Sequence, residues 1–521
     1  MSNRSLRSNF LVQGSILALA GILVRVIGML YRIPVVNIIG SDGNGIYSAA
    51  YNVYNIVLVL SSYGLPMAVS KLISARLAEG EYRNSAQIFR SALILSVITG
   101  GCACALLYFG AGWIERTLYP GLPGMAIPLR VLAPTVLIVA VLGVFRGFYQ
   151  GHGQMEPTAV SQLIEQIVNA VVSVAAGYLL MRAYTGQEYQ AAHGAAGSTL
   201  GTCLGALSAL IFFLGLTLVK RSVFREKVES DENGTTIETG YTLKLILVTV
   251  IPIILGQTFT NINSVLDDIL FNSTAVQTMS ATQVATELGT YSTCFILLLS
   301  IPQGIASSMS ASMLPSVVQS YTAHSKKGVR QKLSQTIRIT MIIAMPCFIG
   351  MVVLGEPLIR ILFARYDSQM GEHMLWIGAI SVIFTTLQTI TTSALQGIDR
   401  LMKPVIHSFI SMLIHIVLVL ILLLGFHMGI YSLVVGYVQF PLVVFLLNMK
   451  SLRGLIHYRL HISRLFLRPL LSSLIMGVAC RLVYAGLYHA TDSVIISFLP
   501  AFLVAVVVYF GAYIFLKEHR I

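Results

Sequence analysis

The sequence predicts an all-α polytopic membrane protein: fourteen transmembrane helices in two parallel-repeat six-helix lobes, with two additional C-terminal helices. Three observations carry that prediction. Of 521 residues, 56% are hydrophobic and only 11% charged, which is far from the composition of soluble domains. Apolar windows of about 20 residues, the length a helix needs to cross a bilayer, recur fourteen times. The basic residues also alternate between loops. With the N-terminus inside, 26 of the 34 Lys and Arg fall in inside segments and 5 outside, leaving Arg25, Arg32 and Arg481 within spans. A missed or surplus span would invert this bias beyond the error, and no inversion occurs, so both termini are placed in the cytoplasm.

Taken in order, the first span (11–33) contains GSILALAGILVRVIGMLYRIP, from Gly14 to Pro34. Ala18-Leu-Ala20 could serve as a signal-peptidase site, but the apolar run continues to Pro34, which fits a retained span. Gly14, Ala18, Gly21, Arg25, Gly28 and Arg32 recur at alternating steps of four and three, so they share one helical face. The small residues alone fit close helix packing. Arginine in hydrocarbon costs roughly 2.5 to 3.5 kcal/mol on insertion scales, so the two arginines call for a hydrated cavity. An anion would be bound there by Arg25 and Arg32, with Gly28 between them.

The second span (45–68) carries Tyr47, Tyr51 and Tyr54 as a helical stripe, suited to sugar stacking or to packing. Spans three (88–112) and four (127–148) follow, with Arg146 at the inner end of the fourth positioned to snorkel. In the fifth (158–181), Glu165 lies among Gln162, Gln166 and Asn169 and reads as a cavity or coupling residue, or as a headgroup-level one. The sixth (194–219) completes the N-terminal lobe, 1–219. A polar cytoplasmic linker, 220–242, is read as flexible.

The C-terminal lobe, 243–448, starts with a span (243–270) whose polar residues form two adjacent lines: Gly256, Thr260, Asn263, Asp267 and Gln257, Asn261, Ser264, Asp268. Gln257 and Asn261 are candidate substrate contacts. Asp267 and Asp268 fall late in their helix, as Arg32 does in its own, and are candidates for a gate with Arg32 or for a coupling-cation site. Spans at 287–313, 336–355, 374–397, 404–424 and 429–448 follow, His415 in the fourth of these reading as a packing residue. The additional pair, 469–488 and 494–516, lies in the segment 449–521, where Arg481 could hold a lipid phosphate or pair within the bundle. The lobes repeat at an offset near 245: Gly45-Ile-Tyr47-Ser48 with Gly289-Thr-Tyr291-Ser292, Gln150-Gly151 with Gln396-Gly397, and Leu118-Tyr119 with Leu362-Phe363.

The formal charge of +13 resides in the inside loops and lacks any nucleic-acid-binding motif. All six cysteines lie in apolar segments without metal-ligand spacing. Asp267-Asp268 is the one paired carboxylate within a span, with no HExxH, DxD or Gly-rich loop beside it. No catalytic residue, metal or cofactor is therefore expected, which weighs against a membrane-embedded glycolipid-modifying enzyme. The central charge of the first span is positive, which weighs against an antiporter of organic cations.

VRVIGMLYRIP, the segment from Tyr291 to Val318 and QGIDRLMKP from Gln396 resemble the polysaccharide-exporter branch of the MATE-like (MOP) superfamily. The SpoVB group is the nearer likeness and the MurJ lipid II flippases the more distant. The resemblance spans nearly the whole chain. It implies a cavity lined by spans one, two, seven and eight, and an alternating-access flippase moving polyprenyl-pyrophosphate-linked glycan precursors across the bacterial plasma membrane, for peptidoglycan, sporulation or another polysaccharide. Coupling to H+, Na+ or the membrane potential and a monomer among membrane lipids are the matching expectations. The Arg-x-x-Gly motif of lipid II flippases is matched by Arg25 and Gly28, with Arg32 one position displaced from the second arginine. Their Tyr-Ala-Asp-Arg motif corresponds to Tyr291-Ser-Thr-Cys294, without the arginine, which leaves another polyprenyl-linked or anionic glycolipid open as cargo.

Overall fold

The computed structural model describes the backbone of residues 3–62, 64–231, 237–460 and 463–518. Side chains are described in those ranges from Ala20 onward, except at Ile22, Ala78, Pro252, Ile253, Gly256, Thr260, Ser463, Arg464 and Glu518. The protein is 88% helical, with no strand among the described residues. It divides into two compact units, Met1–Ala285 and Thr286–Ile521.

The first unit comprises α1 (Asn3–Ser62), α2 (Leu65–Ala78), α3 (Tyr82–Leu118), α4 (Ala126–Gly151), α5 (Glu156–Ala183), α6 (Gln190–Val219), α7 (Arg221–Glu229) and α8 (Thr239–Ala275), and ends within α9 (Ala281–Thr290). The second continues from α9 through a π-helical turn, Tyr291–Leu297, into α10 (Leu298–Thr322). It then holds α11 (Lys326–Leu362), α12 (Ser368–Gly378), α13 (Ser381–Gly397), α14 (Met402–Leu420), α15 (Tyr431–Ile456), α16 (Arg468–Thr491) and α17 (Val494–Glu518).

Each of the fourteen predicted windows falls on helix, yet length and apolarity qualify fewer spans. Among the described residues there are eleven, or twelve if α12 and α13, bent by 49°, count as one. Part of the shortfall is geometric. The first two windows share one qualifying run, Leu23–Leu77, because α1 passes through Pro34 and turns only at Gly40, whose φ of 75° is one that glycine adopts without steric cost. In the seventh window the described side chains break after Ile251, so the apolar run counted there is Thr239–Ile251, within a helix that continues to Ala275. Exposed Phe109, Leu218 and Val507 show the inverted surface of a multi-pass membrane protein, apolar where a soluble protein is polar.

The internal repeat is visible in local geometry. Helices α3 and α11 are both 37 residues long and begin 244 positions apart, at Tyr82 and Lys326. Their capping residues, Tyr119 and Phe363, adopt nearly the same conformation (φ −131° in both, ψ 53° and 64°) and are both buried. Ser48 Oγ donates to the Gly45 carbonyl at 3.1 Å, as Ser292 Oγ does to Gly289 at 3.1 Å. Tyr47 stacks on Tyr51 at 5.7 Å and Tyr291 on Phe295 at 5.6 Å. The Gln-Gly pairs end α4 and α13, with no room at either glycine: a Cβ on Gly151 would meet Ile73 at 2.8 Å, and one on Gly397 would meet Val317, 244 positions beyond Ile73, at 2.7 Å.

The linker 220–242 is described in two parts, residues 220–231 and 237–242. Residues 221–229 form α7, and the segment is tied to the start of α3, where Asp231 Oδ2 accepts the Arg83 backbone N–H at 2.8 Å and Asn84 Oδ1 accepts that of Ile237 at 2.9 Å. The first N–H groups of a helix lack intrahelical acceptors, so this carboxylate, 148 residues away in sequence, serves as the cap that Glu81 does not provide.

Candidate functional site

The first unit brings together most of the residues singled out in its sequence. Their positions are set by close packing of α5 on α6. Gly197, Gly201 and Gly205 recur every four residues along α6, so they present one bare strip. A Cβ on Gly201 would collide with Ser173, and one on Gly205 would lie 2.6 Å from the Glu165 carbonyl. That approach fixes the level of Glu165, Asn169 and Ser173 on α5.

Arg146 Nη2 donates to Glu165 Oε2 at 2.6 Å, and its Nε donates to Ser161 Oγ at 3.2 Å. The arginine therefore pairs across α4 and α5, a contact the sequence reading, which had it snorkelling, did not identify. Further along α5, Gln166 approaches Gly28, whose Cβ would lie 3.1 Å from Nε2. Asn169 Nδ2 donates to the Tyr31 hydroxyl at 3.2 Å, and Ser173 Oγ lies 2.8 Å from Asn169 Oδ1. Glu165, Gln166 and Asn169, grouped on sequence, are thus spread along a polar face of α5 against α4 and α1.

On α1, Arg25 is exposed and Arg32 half-buried, and Gly21 has open space where a Cβ would stand. The Arg32 guanidinium lies 5.5 Å from the centre of the Tyr47 ring, within the range of a cation–π contact. This gives the tyrosine stripe a further role as a support for the arginine. Tyr47 and Tyr54 are buried, while Tyr51 is partly accessible. The side chains of Gly14 and Ala18, which begin the predicted stripe, lie outside the described residues.

Helix α8 also belongs to this unit. Asp267 and Asp268 are buried, and Asp268 Oδ2 accepts the Asn52 amide at 2.9 Å. Asn52 is a partner that sequence reasoning missed, although it directly follows Tyr51. Asn272 Oδ1 accepts the Gly121 N–H at 2.9 Å, while its Nδ2 and both amide atoms of buried Asn263 have no hydrogen-bond partner among the described residues. Such atoms are normally satisfied by water, an ion or a ligand. Asn261 Nδ2 donates to the Gln257 carbonyl at 2.8 Å, so these two polar residues neighbour one another. Gly256 and Thr260, from the same stripes, lie outside the described residues.

In the second unit, Cys294 is buried in the π-helical turn, and a Cβ on Gly371 of α12 would lie 2.8 Å from its Cβ. It is a packing residue, and an arginine there would require α12 to move. Arg481 donates to the Val353 carbonyl at 3.3 Å. His415 Nδ1 lies 3.2 Å from the Gly436 carbonyl, a packing contact between α14 and α15.

A duplicated helical membrane chain with polar side chains buried among its spans is a transporter architecture of the MOP superfamily. The chain belongs to the polysaccharide biosynthesis protein family, which matches residues 10–320, and the MatE family matches 252–421. Lipid II flippase MurJ of Bacillus subtilis (strain 168) is 25% identical over 504 residues, covering 93% of this chain and 89% of that one. Stage V sporulation protein B of the same organism is 24% identical over 453 residues, covering 85% and 83%. Among solved structures, lipid II flippase MurJ in an inward closed conformation aligns with a TM-score of 0.70 at 16% identity, over 97% of this chain and 99% of that one. An inward-facing multidrug resistance MATE family transporter aligns with 0.68 at 17%, over 84% and 98%. These two structures share the fold.

Proposed function

We propose that this protein is an alternating-access flippase that moves a polyprenyl-pyrophosphate-linked glycan precursor, lipid II or a related polysaccharide unit, across the bacterial plasma membrane, with both termini cytoplasmic. The single observation that carries this reading is the pair of arginines on α1. Arg25 is exposed beside the open space at Gly21, and Arg32 rests over Tyr47. Guanidinium groups remain charged at any physiological pH and bind phosphate bidentately, so two of them on one helical face suit a pyrophosphate better than an organic cation. The likeness to MurJ and Stage V sporulation protein B supports the same cargo class. Because Cys294 stands where lipid II flippases carry a third arginine, the cationic anchor for the phosphates here rests on α1.

Transport through this site is a binding and rocking cycle with no bond made or broken, hence no enzyme chemistry. Asp267, Asp268 and Asn263 are the candidate coupling-ion or gating cluster, and Glu165, paired with Arg146, is a second candidate coupling group. Native mass spectrometry of the purified protein tests the cargo. The expected spectrum contains a co-purifying polyprenyl-pyrophosphate glycolipid that is lost in Arg25→Ala and retained in part by Arg25→Lys. Equal retention by wild type and Arg25→Ala would overturn the assignment of Arg25.

A further inference from the structure

Apart from the α1 arginines, the first unit contains a cavity of about 520 Å³ where α3 begins, α4 and α6 end and α7 crosses. Its walls are of two kinds. Phe89, Phe148 and Phe224 form an aromatic side, with Phe89 and Phe148 4.5 Å apart and Phe148 and Phe224 5.1 Å apart. Arg90, Arg221, Arg225, Lys227 and Glu229 form a charged side. Arg225 and Glu229 satisfy each other at 2.7 Å. Arg90, Arg221 and Lys227 make no ion pair among the described residues, so the cavity retains an excess of positive charge.

A second, independent feature points to an occupant. Ser85 is 2% exposed, lines the cavity, and its Oγ has no hydrogen-bond partner among the described residues. A buried hydroxyl without a partner is unfavourable, and an acceptor oxygen inside the cavity would satisfy it. Unpaired guanidinium groups, a free hydroxyl donor and an aromatic wall within one pocket match an anion carrying an apolar body. The placement adds the source. Basic α7 directly follows the end of α6, a membrane-span candidate, and so lies at headgroup level, where positively charged helices attract anionic lipids.

We infer that this cavity binds the phosphate of an anionic phospholipid from the leaflet on the α7 side, with Arg90, Arg221 and Ser85 Oγ on the phosphate and Phe89, Phe148 and Phe224 along the glycerol and first acyl carbons. Occupancy would hold α7 against α3 and α4. The inference is independent of the cargo assigned to the α1 arginines, which do not line this cavity and are untouched by the test.

Detergent-purified full-length protein is titrated with dioctanoyl phosphatidylglycerol, dioctanoyl phosphatidylcholine, glycerol 3-phosphate and inorganic phosphate. Binding is read by native mass spectrometry, and protection of residues 221–229 by hydrogen exchange. Phosphatidylglycerol is expected to bind at least tenfold more tightly than phosphatidylcholine and to slow exchange in α7. Arg90→Gln with Arg221→Gln should lose that preference, Arg90→Lys with Arg221→Lys should recover part of it, and Ser85→Ala should weaken binding a few-fold with unchanged thermal stability. Equal binding of the two lipids overturns the proposal. Equal competition by glycerol 3-phosphate or inorganic phosphate also overturns it, in favour of a soluble-phosphate site.

Discussion

Breaking the Arg146–Glu165 pair should destabilise the first unit in a way that removing both partners does not. The two groups meet at 2.6 Å, with side-chain exposures of 16% and 28%. At a charge separation of about 4 Å and an effective dielectric of about 20, their attraction is roughly 4 kcal/mol. Stranding one charge of a fully buried pair costs about 3 to 5 kcal/mol. Water still reaches this pair, so the expected cost of Arg146→Met or Glu165→Leu alone is about 2 kcal/mol. The double variant keeps neither charge and should be destabilised by no more than about 1 kcal/mol, a coupling of at least about 3 kcal/mol. Reversible unfolding in nanodiscs of the four proteins gives that number. Additivity to within about 0.5 kcal/mol would refute the reasoning, because the contact would then carry no net interaction. Transport by the double variant separates the roles: a structural pair leaves ion dependence intact, a coupling pair loses it.

Gly201→Leu should prevent α5 from seating on α6, since even a Cβ collides with Ser173 there. A loss of at least 3 kcal/mol, or no folded protein, is the expected outcome on size-exclusion and thermal assays. Asp231→Ala removes the distant cap on Arg83 and should cost about 1 kcal/mol, seen as faster amide exchange at the start of α3 with α5 unchanged. The docking of α7 should weaken in acid. Burial, and then the Lys227 charge, hold His152 below its ordinary value of 6.5 despite its bond to the Phe148 carbonyl, and Arg90, Arg221, Arg225 and Glu229 face the same cavity. The docked state then binds fewer protons than the undocked one, so its stability is complete above pH 6.5 and falls as pH drops towards the lowered value. Exchange of residues 221–229, corrected for intrinsic rates, should rise from pH 7 to pH 5, and His152→Gln should abolish that rise.

The helical class and the duplication were legible because both are written in repeating local signals. Hydrophobic length identifies helices, and the Gly-x-Tyr-Ser and Gln-Gly echoes correspond to matched side-chain contacts in α1 and the turn after α9, and to matched glycine packing at the ends of α4 and α13. The span count was less legible, because α1 runs through Pro34 and turns at a glycine that carries no hydropathy signal. Arg25, Arg32 and Glu165 stood out as charges in apolar runs. Their partners did not. Arg146 and Glu165, 19 positions apart, meet only through the α4–α5 packing, and Asn52 reaches Asp268 across 216 residues. Neutral amides such as Asn52 and Asn272 create no anomaly in composition, and Asp231 in a polar linker gives no sign that it caps a helix 148 residues away.

The central claim, that the arginines of α1 carry a pyrophosphate-linked glycolipid across the membrane, is tested most directly in proteoliposomes. A polyprenyl-pyrophosphate disaccharide carrying a fluorescent sugar is placed in one leaflet, and its appearance in the other is timed by an impermeant quencher. The account predicts flipping by wild type, slower flipping by Arg25→Lys, and the protein-free rate for Arg25→Ala and Arg25→Glu at equal reconstitution. Wild-type rates in Arg25→Ala and Arg32→Ala vesicles, or no flipping of any pyrophosphate-linked substrate by wild type while organic cations are exchanged, would contradict it.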